Sequence, residues 1–232
     1  MPPQTAFDLA GNHFEVLASQ RNYAERFDRM VDGLRKKEGV QVAQYERWPG
    51  VPNFMLQKGW YGPTACWTMT CWLSTAGSGK LRLLWHHKAG GQTISEADFL
   101  ISRFDEMMGG KSPIYAYRHR WDHDINERMG WDAPETAGMR LFSDGPYGET
   151  LIKFDEQAGK PLLYALQEDE PFRLTVDFRE YIELLLENGG MARWQFYLTD
   201  PAEYELLPSP ARFQLNMRRL FPNADLARYR RK

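Results

Sequence analysis

The sequence predicts an α+β protein in which a mainly antiparallel, twisted β-sheet is flanked by helices. Three observations favour this class. Apolar residues recur at helical spacing in several separate segments. Between these segments, short stretches alternate apolar and polar residues, as strands do, and Gly-containing turns separate them. The resulting order of helix, several strands, helix, several strands and helix is typical of an antiparallel sheet with helices packed against it.

The N-terminal half is predicted to contain one helix followed by four strands. The helix begins near Asn22 and ends before Gly39, and its apolar stripe is Tyr23, Phe27, Met30, Val31 and Leu34. The strands are residues 40–48, 53–60, 65–74 and 81–87. The turn at 76–80 predicts that the last two form a β-hairpin, which ends at Gly90-Gly91.

A second helix is predicted over residues 95–110. Ser95 is a suitable N-cap, Asp98 follows three residues later, and Gly109-Gly110 closes the segment. The apolar stripe of this predicted helix is Phe99, Leu100, Phe104, Met107 and Met108.

The C-terminal half is predicted to add five strands and three helices. The strands are residues 114–121, 139–142, 149–154, 161–166 and 194–198, and the shorter helices are 123–129 and 211–220. The best-defined helix follows Asp177, a suitable N-cap, and stops at Asn188-Gly189-Gly190. Its apolar stripe is Tyr181, Ile182, Leu184, Leu185 and Leu186.

Length and composition limit the function classes. A chain of 232 residues fits one continuous domain, or an N-terminal extension at 1–92 followed by a domain at 93–232. The net charge of −2 argues against a general nucleic-acid binder. The N-terminus does not resemble a signal peptide, and no apolar run approaches the roughly 20 residues of a membrane span. Cys66 and Cys71 should face opposite sides of a strand, so we expect no disulfide between them. Together, these features lead us to expect a soluble, cytoplasmic protein.

Two histidine-containing segments are candidates for metal or acid–base chemistry. His86 and His87 are adjacent in a predicted strand, so their side chains should point to opposite faces and not share one ion. The second segment could bind a divalent metal or supply acid–base groups, although a polar loop whose aspartates cap a short helix is the favoured interpretation. Its candidate residues are His119, Asp122, His123 and Asp124.

Phosphate binding and covalent catalysis lack a complete motif. The segment Gly77-Ser78-Gly79-Lys80 has Ser74 where a phosphate-binding loop requires Gly, and Leu81 replaces the hydroxyl residue that would hold magnesium. It also precedes a predicted strand, whereas a phosphate-binding loop opens a helix. Neither cysteine lies in a nucleophile motif. We therefore expect no enzyme activity and no cofactor.

The segment from Met139 to Gly190 carries a family resemblance. It contains Leu141-Phe142, a turn with Gly148-Glu149, a strand ending in Asp155, the Gly159-Lys160 turn, and the helix sequence VDFREYIELL. This order resembles the second half of SUKH proteins, the Smi and Knr-like superfamily, in which a comparable "sF-eeFL-ell" helix follows the strands. The resemblance covers about a quarter to a third of the chain and implies a SUKH-like α+β fold.

What the resemblance implies is function by binding. Bacterial SUKH proteins are mainly immunity proteins that occlude cognate toxins, so the resemblance implies a protein toxin as the partner. Separately from the resemblance, we expect no nucleic-acid or membrane partner and a monomer or homodimer. Acidic turns at one sheet end are the expected interface. The predicted partner-binding residues are Asp144, Tyr147, Glu149, Glu168, Asp169 and Glu170. The alternatives are a metal-dependent enzyme using His119 and His123, and a regulatory scaffold.

Overall fold

The fold is built on one antiparallel sheet of seven strands. The computed structural model describes residues 23–48, 80–101, 139–155, 160–167, 170–199 and 210–229. The strands are β1 (Val40–Arg47), β2 (Leu81–Ala89), β3 (Gln92–Ile101), β4 (Met139–Asp144), β5 (Glu149–Asp155), β6 (Lys160–Gln167) and β7 (Glu170–Arg173). Each strand pairs antiparallel with the next in chain order. The prediction of a mainly antiparallel sheet is therefore confirmed.

Three α-helices accompany the sheet in the described part of the chain. They are α1 (residues 23–35), α2 (Phe178–Asn188) and α3 (Pro210–Leu220). Two short 3-10 helices, Trp194–Leu198 and Leu226–Tyr229, complete the described elements. None of the helices in these segments is long and apolar enough to cross a membrane.

The helices cover one face of the sheet. The buried side of α1 (Phe27, Val31) and that of α2 (Ile182, Leu185) belong to the same apolar core as Trp85 of β2. On the opposite face, the alternation of side chains places a smaller buried cluster of Met139, Leu141 and Leu151. Strands on both sides of residue 92 thus share one sheet and one core, and the domain boundary at residue 92 stays a prediction.

The ends of α2 follow the predicted capping pattern. The Asp177 carboxylate accepts a hydrogen bond of 2.8 Å from the backbone N–H of Glu180. Gly189 ends the helix in the left-handed conformation, with φ of 63°. These local signals act within one turn of the chain, so they are readable without tertiary information.

The predicted hairpin between residues 65–74 and 81–87 is wrong about the partner of β2. Residues 81–87 of β2 pair with β1 on one side, and residues 81–89 pair with β3 on the other. The hairpin turn is instead Gly90-Gly91, where both residues have positive φ, 58° and 78°. Two consecutive residues of positive φ are the requirement of the tight turn that joins twisted strands.

The predicted helix over residues 95–110 is also wrong in its described part, because residues 95–101 belong to β3. Ser95, Ala97, Phe99 and Ile101 are buried in strict alternation. Pairing with β2 across the Gly-Gly turn outweighs the local capping signal at Ser95.

Two smaller differences lie near the C-terminal helices. Residues 194–198 form a 3-10 helix and not the predicted strand, and only the neighbouring Thr199 bridges to Leu174. Strand β7 was not predicted, because Pro171 interrupts its short sequence; as an edge strand it tolerates proline. The strands predicted at 53–60, 65–74 and 114–121 and the helix at 123–129 lie outside the described residues.

Candidate partner-binding surface

Two acidic segments lie at the same end of the sheet. In an antiparallel meander every second turn is at the same end, so the β4–β5 and β6–β7 connections are neighbours. The register agrees, since Glu149 pairs with Leu166 and Gln167 pairs with Glu170. We call Asp144, Tyr147, Glu149 and Glu170 the acidic sheet end. The remaining predicted residues, Glu168 and Asp169, lie outside the described residues.

Strand β3 adds two further carboxylates to this surface. It pairs with β4 through only two positions, Leu100 with Asp144 and Ile101 with Ser143. The earlier part of β3 therefore runs past the end of β4, where the Glu96 carbonyl accepts a hydrogen bond of 2.7 Å from Ala192 N–H. Because side chains alternate, Glu96 and Asp98 project on the face opposite the helices.

The β4–β5 turn fits between β3 and the 3-10 helix Trp194–Leu198 because two of its residues lack side chains. A Cβ on Gly145 would overlap the backbone carbonyl of Asp98. A Cβ on Gly148 would overlap the side-chain amide of Gln195, and the φ of Gly148 is 134°. A larger residue at Gly145 would push this turn away from β3, and one at Gly148 would displace the side chains of Gln195 and Phe196 in the 3-10 helix.

The carboxylates on β3 and β4 share one arginine. Arg82 of β2 forms an ion pair with Asp98, with 2.5 Å between Nη2 and Oδ1. Burial raises the pKa of Asp144, and the charge of Asp98 adds to this rise, while Arg82 opposes it. The half-buried Asp144 carboxyl therefore loses its proton less readily than an exposed aspartate does. The more exposed Glu170 is a better contact for a basic partner.

Tyr147 is oriented by Glu96. Its phenol donates a hydrogen bond to the Glu96 carboxylate, and the pKa of Tyr147 is raised by burial and by this acidic neighbour. A half-buried tyrosine fixed in this way presents part of a rigid ring to the surface. Such side chains lose little conformational entropy when a partner binds.

A small cavity lies under the turn. Its volume is about 20 Å³, which is room for about one water molecule. Its lining includes Tyr147, Tyr181, Arg193 and Gln195. Tyr181 is buried beneath it, with its hydroxyl 2.9 Å from Thr150 Oγ1, and burial raises the pKa of Tyr181 to about 12. The Tyr181 phenol therefore stays protonated at neutral pH. In a cavity of this size it suits a structural hydrogen-bond network better than proton transfer.

Arg193 stands at the rim of the cavity in an unusual conformation. It is exposed, and it is the only residue other than glycine with a positive φ, 63°, in the described segments. The left-handed conformation costs an L-residue about 1 kcal/mol or more. A large cation thus occupies a position where glycine would be less strained.

The structure separates the two histidines of β2 as predicted. His87 is 3% exposed on the helix-covered face, whereas His86 Nε2 lies 3.0 Å from Gln41 Oε1 on the other face. Among the described residues, no three or more His, Cys, Asp or Glu side chains are grouped to hold a metal ion. The candidate metal ligands His119, Asp122, His123 and Asp124 lie outside those residues.

Sequence reasoning missed four charged residues of this surface: Arg82, Glu96, Asp98 and Arg193. Glu96 and Asp98 were missed because residues 95–110 were predicted to be a helix and not a strand. The available signal was Gly90-Gly91 between two alternating segments, which is a hairpin pattern. The strain at Arg193 has no sequence signature, because it arises from the connection between α2 and the following 3-10 helix.

Comparison with protein-family models, with curated proteins and with solved structures finds no significant match to this chain.

Proposed function

We propose that this protein is a non-enzymatic binding protein of the immunity type, which neutralises a cognate bacterial toxin in the cytoplasm by occluding it. The resemblance of residues 139–190 to SUKH proteins supports this proposal. The segments that carry the resemblance form consecutive strands β4, β5 and β6, then the edge strand β7, then the capped helix α2. The resemblance implies strands followed by a helix, and strand β7 is an addition to that pattern.

The acidic sheet end is the observation that carries the proposal. Five carboxylates lie at one end of the sheet: Asp144, Glu149, Glu170, Glu96 and Asp98. Arg82 lies beside them and forms an ion pair with Asp98. Tyr147 and Arg193, which belong to the residue types enriched at binding hot spots, lie in the same place. A surface of this composition suits a basic protein partner, because excess carboxylates attract it and the tyrosine and arginine can anchor it.

Co-expression with the product of the neighbouring gene tests the proposal. If that gene encodes a toxin, growth should be rescued by this protein and lost again with Glu170→Lys or Tyr147→Ala. Glu25→Lys is the matched control, because Glu25 is an exposed carboxylate on the outer side of α1. Each variant should first be shown to fold by its thermal unfolding transition.

Binding of the purified pair should show the same pattern. Glu170→Lys should slow association and reduce its dependence on salt, because it reverses a charge at the edge of the proposed interface. Growth rescue that is unchanged by variants of the acidic sheet end would contradict the proposal that this surface binds the toxin. The absence of any toxic neighbour whose effect this protein suppresses would sink the immunity function itself.

A further inference from the structure

The outer face of α3 is basic and carries an exposed leucine. Arg212, Leu215, Arg218 and Arg219 are all exposed, and their spacing of three and four residues places them along one side of the helix. Leu215 is 66% exposed, the highest value for a large apolar side chain among the described residues. The helix, PARFQLNMRRL, contains no acidic residue.

Cations from two other elements extend this face. Lys88 at the end of β2 is exposed, and its backbone N–H donates a hydrogen bond of 2.9 Å to the Gly39 carbonyl after α1. The Lys37 ammonium lies 5.3 Å from the ring centroid of Phe221, the residue that follows α3. We call Lys37, Lys88, Arg212, Leu215, Arg218 and Arg219 the basic surface; Glu38 is the acidic residue in the turn beside it.

The positive charge of Arg219 acts on the buried side chain of His87. The pKa of His87 is lowered by burial and, in addition, by the charge of Arg219. The contact of Lys37 with Phe221 joins the cations around Gly39 to the end of α3, and the charge of Arg219 acts on the end of β2. In the described part of the chain, Arg212 and Arg218 take part in no ion pair.

Helix stability explains only part of this arrangement. Arg218 and Arg219 are in the last turn of α3, where cations stabilise the helix dipole. Arg212 is in the first turn, where a cation is unfavourable, and the exposure of Leu215 contributes nothing to the fold. Helix stability therefore accounts neither for Arg212 nor for the exposure of Leu215.

We propose that the basic surface docks an acidic protein segment that carries an apolar residue opposite Leu215. Carboxylates suit the arginines, which bind them in a bidentate manner, and an apolar side chain covers Leu215. A nucleic-acid backbone would satisfy the cations and leave Leu215 uncovered. A membrane surface would gain little from one leucine, because stable attachment needs a larger buried apolar area. The basic surface shares no residue with the acidic sheet end, and this inference goes beyond the proposed function.

The test uses a fluorescein-labelled peptide of glutamates interrupted by one leucine, titrated with the full chain and followed by fluorescence anisotropy. Arg212→Glu and Arg218→Glu should each weaken binding by about tenfold, and Leu215→Ser by several-fold. Arg29→Glu is the matched control, because Arg29 is an exposed cation on α1, and it should leave the affinity unchanged. A peptide with serine in place of leucine should bind the wild-type chain and Leu215→Ser equally.

Three outcomes would overturn the proposal. They are no binding of the acidic peptide, peptide binding that is unaffected by the α3 variants, and tighter binding of single-stranded oligonucleotide or anionic phosphatidylglycerol vesicles than of the peptide. The variants Glu170→Lys and Tyr147→Ala should leave peptide binding intact. Failure here is therefore distinguishable from failure of the toxin-binding proposal.

Discussion

Trp85 of β2 donates a hydrogen bond of 2.7 Å from its indole Nε1 to the backbone carbonyl of Gly189, the residue that ends α2. Trp85 is completely buried, and its ring meets Phe221 edge-on at a centroid distance of 6.5 Å. A carbonyl past a helix end has no partner inside the helix, so this bond satisfies a group that would otherwise be buried unpaired. It connects a strand that precedes residue 92 with a helix that follows it in the chain.

Replacing Trp85 by phenylalanine should therefore destabilise the fold by about 2–4 kcal/mol, because it leaves the Gly189 carbonyl unpaired and a space beside Phe221. Chemical denaturation followed by circular dichroism measures the change. Trp48→Phe is the control: Trp48 is 38% exposed and should cost less than about 1 kcal/mol. Equal effects of the two substitutions would contradict the structural role of the indole bond.

Two glycine-to-alanine substitutions should have opposite signs. Gly189→Ala should destabilise by about 1 kcal/mol or more, because φ is 63° and the new Cβ would lie 3.0 Å from Phe221 Cζ. Gly33→Ala, in the exposed face of α1, meets nothing within 4 Å and should stabilise by about 0.5–1 kcal/mol. Thermal unfolding of the two variants beside the wild type measures both. A stabilising Gly189→Ala would show that the C-cap is not under conformational constraint.

The ion pair between Arg26 and Glu183 should give stability that depends on acid pH. Arg26 Nη1 donates a hydrogen bond of 2.7 Å to Glu183 Oε1, and its second nitrogen binds the other carboxylate oxygen. This hydrogen bonding, opposed by burial and helped by the arginine charge, lowers the pKa of Glu183 below its ordinary value of 4.5. The pair therefore stabilises the fold above the unfolded-state pKa, and this contribution is lost as the pH falls through the folded-state pKa.

Glu183→Gln should accordingly cost about 1 kcal/mol near pH 7 and less in acid. Urea denaturation of the wild type and the variant, near pH 7 and in acid, measures the difference in the free energy of unfolding. Glu25→Gln, on the outer face of α1, is the control and should change the free energy of unfolding by less than about 0.5 kcal/mol near pH 7. A constant cost of Glu183→Gln at both pH values would mean that the carboxylate charge is not what stabilises the pair.

The buried His87 should make the free energy of unfolding decrease as the pH falls below neutral. Burial, together with the nearby Arg219, lowers the pKa of His87 from its ordinary value of 6.5. The unfolded chain therefore takes up a proton before the folded protein does. The stability from neutral His87 is present above the unfolded-state pKa and is lost as the pH falls toward the folded-state pKa.

His87→Phe should consequently flatten the change in unfolding free energy between about pH 7.5 and about pH 5.5. Denaturant titrations of the wild type and the variant across this range provide the measurement. His86→Gln is the control, because His86 lies on the other face and contacts Gln41 at the surface. An unchanged pH dependence in His87→Phe would assign the titration to another group.

The sequence was sufficient for elements whose signals are local. The caps of α2 at Asp177 and Gly189 depend on hydrogen bonds and φ values within one turn. The turns around Gly148 and the alternation in β5 and β6 are similarly short-range, so their strands were predicted to within two residues. The acidic sheet end could also be anticipated, since consecutive antiparallel strands place alternate turns together.

The tertiary structure decided the elements whose partners are distant along the chain. Residues 95–101 contain both a capping signal and an alternating pattern, and pairing with β2 selects the strand. The neighbours of β2, the placement of Asp98 beside Arg82 and the strain at Arg193 depend on contacts between segments far apart in sequence. The sequence by itself thus determined the local elements and the α+β class. Only long-range pairing and packing determined which of those elements share a surface, because these contacts gain free energy only once the whole sheet has assembled.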